Sequence, residues 1–206
     1  MPKALTREQM QAQTRELIIA AAERVFLSRG YNATTIAQIA AEAGRTHGSI
    51  YGHFAGKEDL CLQLLRNHFE RVLLELSTAV RGAAGPEAKL AVTQEQWGTL
   101  LAHSAWITLA ADFVLATRND PVQHQVHRDT IDAFTAGVRM LILAQAATLD
   151  VAVEDDDLLE RAATALLATG VGLAVEHALG AIDLDRATAT FIDSVELWFR
   201  RLDPSP

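Results

Sequence analysis

The chain is poor in the residues that commit a protein to covalent or metal chemistry. Cys61 is the only cysteine among 206 residues, which excludes an internal disulfide and any cysteine-cluster zinc site. It lies in an apolar helical pattern and reads as a small buried residue. None of the seven histidines has an acid three residues before it, so the Glu-x-x-His pairs of helical di-iron bundles are missing. A Gly-rich phosphate loop and a Gly-x-Ser-x-Gly elbow are missing too. No catalytic residue, metal site or cofactor is therefore assigned, and an enzymatic helical bundle stays only as an alternative. Alternation of apolar and polar residues, the mark of a strand, is also lacking. The longest uncharged apolar run, 162–175, is too short to cross a bilayer. Residues 1–13 lack the apolar segment of a signal peptide. A cytoplasmic protein with no membrane partner is expected.

Half of the residues are apolar, enough for a substantial core. Net charge is −8, which by itself argues against a nucleic-acid partner. The distribution reverses that reading. Residues 1–57 carry seven basic against four acidic side chains, a balance of +3, so the remainder holds −11. A basic N-terminal module on an acidic body suits a protein of which one end meets phosphates.

Helical periodicity runs through the whole chain. Ile18, Ala21, Ala22, Val25 and Phe26 give a first helix from Thr14 to Gly30, preceded by a polar terminus whose Lys3 and Arg7 are a possible minor-groove arm. Within residues 34–54, Ile36, Ile39, Ala40 and Ala43 form one apolar stripe. Thr35 and Gln38 make a capping box before it, and Gly44 ends it. Thr46 then caps a short helix bearing His47, Ser49, Ile50, Tyr51 and His53. Two short helices about a glycine turn make a helix-turn-helix, whose second helix enters a DNA major groove. A long helix spans 57–80, residues 82–86 break it, and further helices follow at 87–102, 104–117, 122–148, 158–179 and 185–202. Asp120 and Asp185 are the expected caps of two of them. The acids Glu154 to Asp157 read as a helix cap and not a calcium site. The expected fold is all-α, about nine helices.

The stretch AEAGRTHGSIYGHFAGKEDL resembles the TetR family of bacterial transcriptional regulators. Ala40, Ala43, Gly44, Gly48, Tyr51, His53, Phe54, Lys57, Glu58 and Leu60 carry the resemblance, which covers roughly residues 14–65. Arg45, Gly52 and Gly56 depart from it: an apolar residue, a larger side chain and a capping serine are usual there. The resemblance implies a helix-turn-helix DNA-binding domain over 1–56 and a helical effector-binding and dimerisation domain over 57–206. It also implies a homodimeric repressor on a palindromic operator, released by a small effector.

His47 is the candidate base contact, with Thr46 and Ser49 able to meet bases or phosphates. Thr35, Tyr51, His53 and Lys57 are candidate backbone clamps, and Arg45 a candidate additional one. Candidates for an effector cavity are Trp97, Leu101, His103, Trp106, Phe113, Phe134, Val138, Met140, Thr169 and His177, whose aromatics suit an apolar or aromatic ligand. A metal-responsive regulator is the alternative within the same class, because His124 and His127 lie one turn apart near Asp120 and Asp129. A histidine pair on a charged helix is more commonly a solvated face.

Overall fold

The computed structural model describes residues 6–148 and 153–203, and these form nine helices and no strand. The possible minor-groove residue Lys3 and the helix-stopping Pro204 lie outside the described residues. In order the helices are α1 (Arg7–Arg29), α2 (Ile36–Ala43), α3 (His47–Tyr51), α4 (Lys57–Gly82), α5 (Gly85–Ala102), α6 (Ser104–Thr117), α7 (Pro121–Thr148), α8 (Asp156–Ala178) and α9 (Leu184–Leu202).

Two starts differ from the sequence expectation. α1 begins at Arg7 and not at Thr14, because Thr6 and Gln9 form a full capping box: Thr6 Oγ1 accepts from Gln9 N and Gln9 Oε1 accepts from Thr6 N. α9 is capped by Asp183, whose carboxylate accepts from Arg186 N at 2.8 Å, while the expected cap Asp185 sits inside the first turn. There its charge favours the helix N-terminus without closing it. Asp155 caps α8 through Leu158 N, and Asp120 accepts from Val122 N ahead of α7.

The chain divides into two compact units, residues 1–68 with 108–117, and residues 69–107 with 118–206. Both α4 and α6 contribute to each unit. A boundary drawn from sequence at 56/57 falls at the start of α4, whereas this division falls inside it, after His68. In the first unit Ile18, Ala21, Ala22, Val25 and Phe26 of α1 are buried with Ile39 and Ala40 of α2, Ile50 of α3, Phe54, and Leu60, Cys61 and Leu64 of α4. Burial pushes the Cys61 thiol up to about 12, as suits an inert core residue.

The second unit has two cores. Ile142, Leu159, Ala162, Ala163, Leu166 and Leu202 make one; Trp97, Leu101, Ile107, Ala174 and Ala187 make the other. α8 supplies both through residues 159, 162, 163, 166, 170 and 174, one stripe at helical spacing. Among the described residues α8 is the one single helix long and apolar enough to cross a bilayer, with a window of mean hydropathy 1.5 that is 33% buried. The uninterrupted run 162–175 understates it, because the helix continues beyond the run at both ends.

The α1–α2 turn depends on Gly30. Its φ of 74° and ψ of 172° lie in a region that is essentially glycine's alone. A Cβ there would also stand 2.8 Å from Asp112 Oδ2. Gly30→Ala is therefore expected to destabilise the protein by about 1–3 kcal/mol from the backbone strain alone. Urea unfolding of both proteins checks it; an unchanged midpoint would mean that the turn relaxes freely.

Candidate nucleic-acid interface

α3 has five residues, so its neighbours must hold it in place. α2 closes on Gly44 in the left-handed conformation (φ 61°, ψ 36°), and Arg45 N donates to Ala40 O at 2.9 Å. Thr46 is extended and its Oγ1 accepts from Ser49 N at 3.2 Å, which starts α3. Ile50 is fully buried beneath α3, and Phe54 beyond it is buried as well. Arg15 of α1 lies over the Phe54 ring, 5.1 Å from its centroid.

With that inner face pinned, the outer face carries exposed Thr46, His47, Gly48 and Tyr51, with Ser49 half-buried. Tyr51 is 57% exposed. Thr35 caps α2 as expected: its Oγ1 accepts from Gln38 N, leaving the hydroxyl proton to donate outward. Arg45 is exposed, and its guanidinium donates to the neighbouring Gly44 carbonyl. His53 is half-buried beside Phe54, with ring centroids 6.4 Å apart.

Lys57, at the start of α4, is held by Tyr31. Its Nζ donates to Tyr31 O at 3.1 Å and lies 4.1 Å from the centroid of the Tyr31 ring. Tyr31 is buried, and its hydroxyl donates to Glu58 Oε1 at 3.0 Å. Burial first, and then the Glu58 carboxylate, raises the Tyr31 pKa.

Sequence reasoning overlooked Arg15 and Tyr31. Arg15 donates to Gln63 Oε1, Gln63 Nε2 donates to Asp59 Oδ1, and Asp59 Oδ2 accepts from Ala55 N. That chain of bonds ties α1 to the turn after α3. Arg15 also lines a cleft of about 340 Å³ with Glu8, Gln11, Gly52 and His53. The Thr6-x-x-Gln9 pattern was the available signal for this extended end of α1. A second cleft, of about 450 Å³, runs between α1 and α2 past Arg24, Arg29, Gln38 and Glu42.

The candidate effector residues are not gathered into one site. Trp97 and Leu101 share a core, and Trp97 stacks on Phe191 at 4.1 Å. Trp106 is buried near the start of α6. Val138 packs on the other core of that unit, and Phe134 meets Phe69 edge to face. Phe113 belongs to the first unit, where it meets Tyr31 edge to face at 5.2 Å. His103 and Met140 are exposed, Thr169 is half-buried, and His177 faces Ile182 O at 3.2 Å. Neither cleft named above touches any of them. Trp97 Nε1 is buried with no hydrogen-bond partner among the described residues. A donor in that state costs about 1–3 kcal/mol.

The metal alternative gains nothing from the geometry. His124 Nε2 faces Arg118 O, and burial, followed by the His124 charge, lowers the pKa of His127. Among the described residues no three His, Cys, Asp or Glu side chains converge on a possible ion.

Residues 18–64 match the family described as bacterial regulatory proteins, tetR family. Over 49 residues the chain is 55% identical to the HTH-type transcriptional repressor BepR of Brucella suis, a stretch covering 24% of this chain and 23% of that protein. Over 135 residues it is 31% identical to the HTH-type transcriptional regulator HbdR of Aromatoleum, covering 61% of this chain and 59% of the other. It thus spans less than two thirds of either relative. Its fold is similar to that of a transcriptional regulator from Rhodococcus, with a TM-score of 0.70 at 22% identity, over 93% of this chain and 99% of that one. The helix-turn-helix of α2 and α3 lies wholly inside residues 18–64, and it is this N-terminal segment that is similar to the bacterial regulatory proteins of the tetR family.

Proposed function

We propose that this protein is a sequence-specific DNA-binding transcriptional regulator, a homodimeric repressor released by a small apolar or aromatic effector. The observation that carries the reading is α3 itself: a helix fixed from below by Ile50 and Phe54, presenting Thr46, His47 and Tyr51 to solvent. In this reading His47 meets base edges, and Thr46 and Ser49 meet bases or phosphates. Thr35, Arg45, Tyr51, His53 and Lys57 hold the backbone. In this reading the protein regulates transcription in the cytoplasm and catalyses no reaction. The positive balance of residues 1–57 attracts the duplex, and the acidic remainder is repelled from it.

Binding to the upstream region of its own gene should fall steeply with salt, as neutralised phosphates release counterions. His47→Ala should relax preference at particular base pairs by up to about 1–3 kcal/mol. Tyr51→Phe should instead weaken all sites alike. Fluorescence anisotropy across a panel of operator variants separates the two. Equal loss at every site for His47→Ala would move His47 to the backbone.

The dimer reading rests on α8. Ala168, Val171, Gly172 and Leu179 recur at helical spacing on an exposed face of α8, with Val171 57% and Leu179 78% exposed. At Gly170, by contrast, a Cβ would meet Trp97 and Phe191 within the same protomer at 3.3–3.4 Å. A Cβ at Gly172 would meet no other described part of the protomer within 4 Å. Gly172→Phe should therefore keep the protomer folded and give monomers that bind operator weakly, because a two-fold dimer presents both recognition helices. Sedimentation of the wild type as a monomer at micromolar concentration would sink this reading.

The effector reading rests on Trp97, whose stacked ring and unpartnered N–H suit a flat apolar ligand with a hydrogen-bond acceptor. α4 runs from the reader into the second unit and gives a ligand there a covalent route to it. A preference of about 2–3 kcal/mol for the DNA-free state lowers operator affinity on the order of a hundredfold. Hydrophobic cations, flavonoid-like aromatics and acyl compounds should include one that quenches tryptophan emission and releases DNA together. Trp97→Phe should blunt release and leave operator affinity intact. A set in which no compound does both removes the effector and leaves the repressor.

A further inference from the structure

Tyr31 is immobilised from three sides. Its ring stacks on Phe26 with centroids 6.1 Å apart and receives Phe113 edge-on at 5.2 Å. Its hydroxyl is bonded to Glu58 Oε1 at 3.0 Å. Lys57, one residue before Glu58, then meets two parts of Tyr31: the carbonyl at 3.1 Å and the ring face at 4.1 Å. An ammonium has three donors, so the carbonyl leaves two for an anion.

Glu58 is the natural competitor for Lys57, being its neighbour in a first turn that also holds Asp59. Yet Lys57 makes no ion pair within 4 Å among the described residues, because the Tyr31 hydroxyl holds the Glu58 carboxylate. Gly56 leaves room for this arrangement: Glu58 Oε2 lies 3.3 Å from where a Cβ at position 56 would stand. The usual capping serine would crowd it.

We propose that Tyr31 is a positioning residue for the DNA phosphate contact of Lys57: its carbonyl and ring fix the ammonium, and its hydroxyl keeps Glu58 from neutralising it. The proposal rests on the reading of Lys57 as a phosphate clamp. Lysine loses much rotamer freedom when fixed, and Tyr31 imposes that loss before DNA arrives.

Tyr31→Phe keeps the ring and the carbonyl and frees only Glu58. Its affinity for operator should fall roughly three- to tenfold, the worth of one hydrogen-bonded contact, and the salt slope should shrink by up to about one. Tyr31→Phe/Glu58→Gln should recover both, because a neutral amide cannot cancel the charge of the ammonium. A merely structural tyrosine would not be rescued by Glu58→Gln. Glu58→Gln alone should leave affinity within about twofold; a larger gain would mean that Glu58 already competes in the wild type, and would overturn the proposal whether or not Tyr31→Phe folds. Lys57→Met separates the two levels. If it leaves the salt slope unchanged, Lys57 touches no phosphate and both readings fall. If it lowers the slope while Tyr31→Phe does not, or the double variant fails to recover, only the role of Tyr31 falls.

Discussion

A helix of five residues cannot stand alone in water, because nucleation fixes several residues for one hydrogen bond. α3 is such a helix, and everything that makes the reading surface definite is borrowed from its surroundings. Gly44 bends the chain into it, Thr46 caps it, and Ile50 and Phe54 anchor it from beneath. Arg15 lies over the Phe54 ring from α1, while the Gln63–Asp59 relay fixes the turn that follows. The Thr46 cap, the Arg15 contact and each bond of the relay are worth about 1 kcal/mol apiece. Burial of Ile50 is worth about 1.5–3 kcal/mol. The result is a short rigid surface whose outward side chains are free to be polar.

Local features were the legible ones. Thr35 with Gln38, Gly44 and Thr46 act within four residues of themselves, so spacing alone locates them. The start of α1 was equally local, written in Thr6 and Gln9, and was missed because residues 7–13 carry little apolar periodicity to announce a helix. Asp183 and Asp185 show the limit of the method. Both are good caps by type, and only the backbone decides that the extended residue is Asp183 (φ −78°, ψ 169°).

Non-local features were not legible. Phe113, Phe134 and Trp97 are alike in sequence, each an aromatic in a helix, yet each meets a different partner: Tyr31, Phe69 and Phe191. Any buried aromatic satisfies the composition of a ligand cavity, and most are core. α8 shows the same ambiguity in its small residues. Gly170 and Gly172 are two positions apart, which turns them about 200° around the helix. One admits Trp97 and Phe191 inside the protomer, and the other faces open space. α8 carries apolar residues on two faces, and among the described residues only the inner one is covered within this chain.

The proposed release needs a source of differential energy, and the inner face of α8 is where the second unit holds some. Trp97 is stacked on Phe191, fits against Gly170 and leaves its indole N–H without an acceptor. The cost of that donor, about 1–3 kcal/mol, matches the coupling free energies by which one ligand changes the affinity of another. A ligand that supplies the missing acceptor gains only if the core opens to admit it, since the ring is already in close contact on one side. The state with the ligand is then a different packing of α5, α8 and α9, and cores exchange between discrete packings rather than deforming smoothly. The same unsatisfied atom that weakens the resting core would thus favour the rearranged one, which is the asymmetry an effector site requires.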